Sequence, residues 1–475
     1  MSIINYIKQQ IGPSKDYIFK NLKISNQTIT IIFNETLINT ANTNDFILRC
    51  LKNLTKKEIN NLENIIPTTN IKKVKKDEII KYLSLGFIII ITKKYIYTTE
   101  IKAHLDRGIQ TINSELSITG PKDSFSENYN INLGLIRKRI KSTDLYTENI
   151  EIGKLTKTKV GILYINNIVK KEIPQSIIKK LNKIDIDGII DSSYLKRSLE
   201  KNNILFPTII MTERPDKATM ALLEGKVIIL VDTSPYALIL PSFFLDFFHT
   251  TDDYYQKPIN TSIIRIVRII AFLIAVFTPA IYIAITTRNY DIVPFNLLMT
   301  LKAGRTFVPF PAYIEALFMI ICFEILKESD LRMSTTTGSA ISILGGLILG
   351  DAAVSAGIVS PIMIIIIAIS SIAGLTFSSI ELSNALRNYK IILLLLTTLL
   401  GLCGLTIGTT LFIYQLITLK TFNIPYLTPI IPIEKNEIND SIIKKNKNIE
   451  TRNSLLTKNI KRGKYKWKKY YYTQL

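Results

Sequence analysis

Cysteine and histidine are nearly missing from this 475-residue sequence. The three cysteines, Cys50, Cys322 and Cys403, have no paired spacing. That excludes a disulfide scaffold and a zinc module. The two histidines, His104 and His249, stand far apart. They leave no His-rich metal site and little basis for His-dependent catalysis. No GxxxxGK(S/T) loop and no GxGxxG turn is present, so neither phosphate-cradling motif applies. No enzyme activity, cofactor, metal or nucleic-acid partner is expected. Acidic residues are also short: 38 Asp+Glu face 59 Lys+Arg, a net charge of +21.

What is present is unevenly distributed. The length suggests two or three domains. Hydrophobic residues reach 47%, and mean hydropathy is +0.23 despite 20% charged residues. Residues 1–262 carry 37 basic and 27 acidic residues, residues 263–432 only 10 and 7, and residues 433–475 carry 12 and 4. The middle block, poor in charge and rich in apolar runs, reads as a membrane domain. The first residues, MSIINYIKQQIGPSKDY, hold no apolar stretch of signal-peptide length. The polar region before the block is therefore expected on the cytoplasmic side.

That polar region alternates β-rich runs with helical patterns. ITIIF at 29–33 and VGILYI at 160–165 predict buried strands, and IPQSIIKKLNKI at 173–184 predicts an amphipathic helix. A repeat is visible. Asp77 precedes Gly86 by nine residues, with FIIIIT following; Asp216 precedes Gly225 by nine, with KVIILV following. The expected fold class is α+β, multidomain. Two cytoplasmic α/β subdomains, 15–125 and 126–260, precede an all-α polytopic transmembrane domain, 263–432, and a basic cytoplasmic tail, 433–475, expected to be disordered. The segment 120–139 should bridge the subdomains. Arg137 or Arg139, on alternate sides of Lys138, should pair there with an acid such as Glu213.

In the membrane block, 263–287 predicts the first span, with Arg265 and Arg268 snorkelling to the headgroups and Pro279 as a potential kink. The segment 309–328 carries Glu315 and Glu324, which nine residues of helix place on opposite sides. Glu315 needs a partner, for which Arg305 is the candidate. The stretch 338–377 is rich in Gly and broken by Pro361, with GxxxG spacing at Gly346 and Gly350. Its carboxylate, Asp351, either caps a helix starting at Ala352 or faces an aqueous path. The run 391–419 reads as the last span. The basic tail belongs inside, touching anionic lipid. With both ends inside, crossings must be even, so the broken stretch 338–357 should be re-entrant.

Several long segments resemble one family. MTERPDKATMALLEGKVIILVD (211–232), PFPAYIEALFMIICFEILKES (309–329), LILGDAAVSAGIVSP (347–361) and FNIPYLTPIIP (422–432) are similar to the A subunit of GerA-type spore germination receptors. So are the stretches 119–140 and 152–165. The likeness runs in order from about residue 18 to 432. It implies a receptor in the spore inner membrane that triggers germination, working with a transporter-like B subunit that binds the nutrient and a lipoprotein C subunit. It also implies a ring of A subunits around a cation channel.

Within such a ring, the stretch 345–361 is the candidate conduction path. Small residues allow close approach around an axis, and irregular backbone is tolerated beside a water-filled cavity. The candidate pore and gating residues are Asp351, Gly346, Gly350, Gly357 and Glu315. A carboxylate from each copy would favour cations. The rival reading is a non-conducting scaffold or signalling subunit. A secondary transporter is disfavoured, because the unequal apolar segments show no inverted repeat.

Overall fold

The structure is a computed structural model describing residues 3–24, 27–52, 54, 58–60, 62–67, 71–101, 103, 115, 119–200, 205–332, 346, 350–377, 379–433, 441–444 and 454–458. The chain divides into two compact units. One comprises Met1–Asn202, Ile209–Ser242 and Lys447–Leu475; the other comprises Asn203–Thr208 and Phe243–Asn446.

The first unit holds two five-stranded sheets. Chain order in its first half is α1 (Ile3–Ile11), β1 (Tyr17–Ile24), β2 (Gln27–Asn34), β3 (Lys72–Lys73), α2 (Ile79–Ser84), β4 (Phe87–Ile91) and β5 (Ile96–Glu100). The second half runs α3 (Tyr129–Arg139), β6 (Leu145–Ile152), β7 (Thr158–Ile165), α4 (Glu172–Leu181), α5 (Ser192–Leu199), β8 (Ile210–Thr212), α6 (Pro215–Glu224), β9 (Val227–Val231) and β10 (Ala237–Leu240). The sheet orders are β1-β2-β4-β5-β3 and β6-β7-β9-β10-β8, so the two halves are wired alike. Every pairing is antiparallel.

The strands are continuous apolar runs because both faces of the first sheet are covered. Ile29, Ile31, Ile88 and Ile90 pack into one core with Ile47 and Leu51. Their neighbours in sequence, Ile32, Ile89 and Ile91, pack into a second core with Ile7, Ile79 and Leu83. Period-two alternation therefore divides apolar residues between two cores instead of between core and water. The repeated glycines mark matching helix ends. Gly86 follows α2 with φ +82° and Gly225 follows α6 with φ +94°, a left-handed conformation that glycine adopts without steric cost. Part of the tail expected to be unstructured joins this unit. Thr457 bridges Val169 in antiparallel fashion, and Leu456 is fully buried.

The second unit is helical. Its main elements are α7 (Pro258–Thr287), α8 (Phe295–Ala303), α9 (Ala312–Arg332), α10 (Pro361–Gly374), α11 (Ile380–Leu400) and α12 (Leu402–Thr418). Pro258 opens α7 and Pro279 lies inside it. At ~1.5 Å per residue α7 is about 45 Å long, enough to cross a ~30 Å hydrocarbon core. Among the described residues it is the one helix long and apolar enough to do so. Pro361–Gly374 and Leu402–Thr418 are apolar but shorter. One core of the unit joins Ile283 of α7, Ala316 and Ile320 of α9, Met363 and Ile367 of α10 and Leu394 of α11. An aromatic cluster gathers Phe206, Phe244, Phe272, Tyr389 and Phe412, with Tyr389 edge-on to Phe412 at 4.6 Å between centroids.

Two expectations are corrected here. The run 391–419 is not one span: Gly401 breaks it into α11 and α12. Gly401 has φ +60° and ψ −137°, backbone that side-chain-bearing residues rarely adopt. α12 then returns along α11, because the missing side chain of Gly404 admits the Leu396 carbonyl and that of Gly408 admits Leu393. Arg265 and Arg268 do not reach out toward headgroups either. Both turn to Asp253, whose Oδ2 lies 3.2 Å from Arg265 Nε and 2.8 Å from Arg268 Nη1. Most of the expected re-entrant stretch 338–357 lies outside the described residues.

Candidate functional site

Ionisable side chains inside the helical unit concentrate on facing surfaces of α9 and α11. Glu324 and Lys327 sit three apart on α9, while Ser383, Arg387 and Lys390 follow four- and three-residue spacing on α11. Such spacings put each group on one helix face. The faces meet: Arg387 Nη1 lies 3.0 Å from Glu324 Oε2, and Lys327 Nζ donates to Ser383 Oγ at 3.0 Å. Lys390 reaches α10, its Nζ 3.5 Å from Ser370 Oγ. Ser370 Oγ in turn donates to the Ala275 carbonyl of α7 at 2.8 Å. These groups line a cavity of about 220 Å³ between α7, α9, α10 and α11. A charge left facing lipid costs about 2.5–3.5 kcal/mol on insertion scales, so ionisable groups in apolar bundles turn inward and mark function.

Sequence reasoning missed most of this cluster. It does not single out Arg387 and Lys390. The signal was available: 383, 387 and 390 share a face of an otherwise apolar helix.

Glu315 has the partner expected for it. Its buried carboxylate lies 2.8 Å from Arg305 Nη2 and accepts from Ser360 N at 3.0 Å. Ser360 precedes α10, so the negative charge sits at that helix's positive end. Glu315 and Glu324 therefore serve different neighbours. Asp351 is exposed and lies within helical residues 350–355, not ahead of them, so it does not cap a helix beginning at Ala352. Nothing lies within 4 Å of where a side chain would project from Gly346 or Gly350. Gly357 has φ +65° and faces the Phe307 carbonyl.

In the first unit, Arg137 and Arg139 both find acids, and neither acid is Glu213. Arg137 grips Asp16 with two bonds, Nε–Oδ2 at 2.8 Å and Nη2–Oδ1 at 3.0 Å. Arg139 Nη2 meets Asp123 Oδ1 at 2.7 Å. Glu213 instead accepts from Glu115 N at 3.0 Å. Its backbone carbonyl receives Phe125 N at 2.8 Å. Asp16 stands 121 residues before Arg137, a separation that spacing arguments do not reach.

At the foot of α7, Asp253 is enclosed with His249. Burial by itself raises the Asp253 carboxyl, but the hydrogen bond and charge of Arg268, with Arg265 and His249, hold it below the usual carboxylate range. Burial, then the Arg265 charge, push His249 down to about 3. Its Nε2 lies 2.7 Å from the Ser441 carbonyl. Among the described residues no group of three or more His, Cys, Asp or Glu could hold a metal.

Comparison with known proteins places this chain in a family. The description "Bacillus/Clostridium GerA spore germination protein" matches residues 5–455. The chain is 33% identical over 451 residues to "Spore germination protein KA" of Bacillus subtilis (strain 168), covering 92% of this chain and 82% of that one. It is 33% identical over 443 residues to "Spore germination protein GerQA" of Bacillus cereus, covering 92% and 89%. Among solved structures it is similar to the N-terminal domain of the A subunit of the Bacillus megaterium spore germinant receptor GerK3. That match has a TM-score of 0.40 and 28% identity, and covers 51% of this chain and 94% of that one.

Proposed function

Because the chain belongs to the Bacillus/Clostridium GerA spore germination family, we propose that it is the A subunit of a nutrient germinant receptor, and that copies of it form a nutrient-gated cation channel. In this reading the receptor lies in the spore inner membrane as a multi-pass protein. Both chain ends face the core, with a nutrient-binding B subunit and a lipoprotein C subunit alongside. The two α/β halves of the first unit form the cytoplasmic part and are tied by Arg137 and Asp16.

The observation that supports conduction is the exposure of Asp351 beside the unobstructed Gly346 and Gly350. An exposed carboxylate in an apolar helical unit must face water or protein. Small residues beside it let another copy approach, and a ring of such carboxylates favours cations. The test is ion flux through receptor reconstituted in liposomes with its B and C partners. Asp351→Asn should assemble normally but lose flux and cation selectivity. Unchanged flux and selectivity would defeat the carboxylate ring.

A non-conducting scaffold is the second reading. It draws support from the one helix that, among the described residues, passes as a membrane span by length and composition. Absence of nutrient-dependent flux in the complete wild-type receptor would favour it.

A further inference from the structure

We propose that the cavity between α7, α9, α10 and α11 binds a small monovalent anion, a halide or a carboxylate of few carbons, at the ammonium of Lys390. Lys390 is 7% exposed and lines the cavity. Its contact is Ser370 Oγ at 3.5 Å, the outer limit of a hydrogen bond. Among the described residues no carboxylate forms an ion pair with it. Glu324 is already engaged by Arg387. Asp330, the other lining carboxylate, is exposed. The adjoining sequence 333–349 contains no Asp or Glu. Among the described residues Lys390 is thus a buried cation with no ion pair of its own, and buried charges in proteins are paired or neutralised.

The other cations of the cluster do not share this position. Arg387 is matched by Glu324, and Lys327 donates to Ser383. Ser370 spends its hydroxyl proton on the Ala275 carbonyl. It therefore meets Lys390 as an acceptor and cannot neutralise it. Size narrows the ligand. A cavity of about 220 Å³ holds about seven waters at ~30 Å³ each. It falls below the ~300 Å³ at which drug-sized pockets begin. The wall also presents Phe323, Ile372 and Leu386, which suit a small apolar stem.

The inference concerns equilibrium binding and stands whether or not the chain conducts. The test is thermal unfolding of the full chain in detergent at fixed pH and ionic strength, with sodium chloride or sodium acetate replacing the salt of a bulky sulfonate. Binding to the folded state should raise the melting temperature saturably, by about 5–10 °C at a hundredfold excess over the dissociation constant. Lys390→Met should abolish the rise, and Lys390→Arg should retain it. If neither anion shifts the wild-type melting temperature, or if Lys390→Met responds like wild type, the proposal is overturned. Should Lys390→Met fail to fold, competition decides. Saturating chloride must remove the effect of acetate, and independent, additive responses overturn the proposal.

Discussion

Replacing Arg137 by Met tests what joins the two sheets of the first unit. Arg137 is among the largest fully buried side chains. Its guanidinium gives Asp16 bonds of 2.8 and 3.0 Å, donates to Thr147 Oγ1 at 3.2 Å and stacks 5.4 Å from the Tyr17 ring centroid. Asp16 also accepts from Asn34 Nδ2 at 2.7 Å. The side chains of the pair are each 2% exposed. Arg137→Met keeps much of the volume but strands the carboxylate beside Asn34 in a dry site. Breaking a buried pair in this way costs about 3–5 kcal/mol. A unit of this size loses about 2–4 °C of melting temperature per kcal/mol, so the loss should be roughly 6–20 °C. The double variant Asp16→Asn/Arg137→Met removes the stranded charge. It should be less destabilised than the sum of the singles, by about 2 kcal/mol or more. The assay is thermal and urea unfolding of the wild type, both singles and the double. A single-variant loss under about 1 kcal/mol, or additivity within about 0.5 kcal/mol, would refute the assignment of this pair as the tie between the halves.

Two further substitutions test the helical unit, one of them through acid. His249 is held down to about 3 in the fold, against ~6.5 when unfolded. Between those values the unfolded chain binds the extra proton, so stability falls as pH falls from ~6.5 toward 3. His249→Asn should flatten that slope by up to ~1.4 kcal/mol per pH unit, and an unchanged slope in urea titrations from pH 7 to 5 would count against a neutral buried imidazole. Asp253, depressed by its arginines, acts lower still: its contribution is complete above the unfolded value of ~3.9 and disappears as pH drops through the folded one. Gly401→Ala should cost at least about 2 kcal/mol, because φ +60° with ψ −137° is strained for alanine and the new methyl meets Asn289 and Arg288. A melting temperature equal to wild type would show that α11 and α12 do not turn at Gly401.

The features legible in the sequence are those that periodicity and local spacing carry. FIIIIT and KVIILV read as strands following glycine, and β4 and β9 occupy the same place in two sheets of the same order. Arg305 could be named for Glu315 because the two lie ten residues apart. The misreadings share a cause. Hydropathy averages over a window, so an apolar run of 391–419 reads as one helix even though one residue, Gly401, reverses it. Arg265 and Arg268 sit at the start of an apolar helix, a pattern that snorkelling explains equally well. What decides between lipid and protein is Asp253, 12 residues upstream of Arg265. Asp16 and Arg137 are 121 residues apart, and no spacing rule links them.

α11 divides its polar and apolar residues along its length. Its polar residues 383, 387 and 390 line one wall of the cavity. Leu395, Leu399 and Leu400 on the same helix are exposed. A helix built this way is apolar outward at one end and ionisable inward at the other. Arg387 and Glu324 are each still about one-third exposed, at 35% and 30%, so water screens them and the pair adds little to stability. Retaining charge at so small a gain leaves the proposed anion site as the reason for this polar face. Lys390 is the member of that face on which anion binding would be read, since it is the most deeply buried cation there and, among the described residues, forms no ion pair.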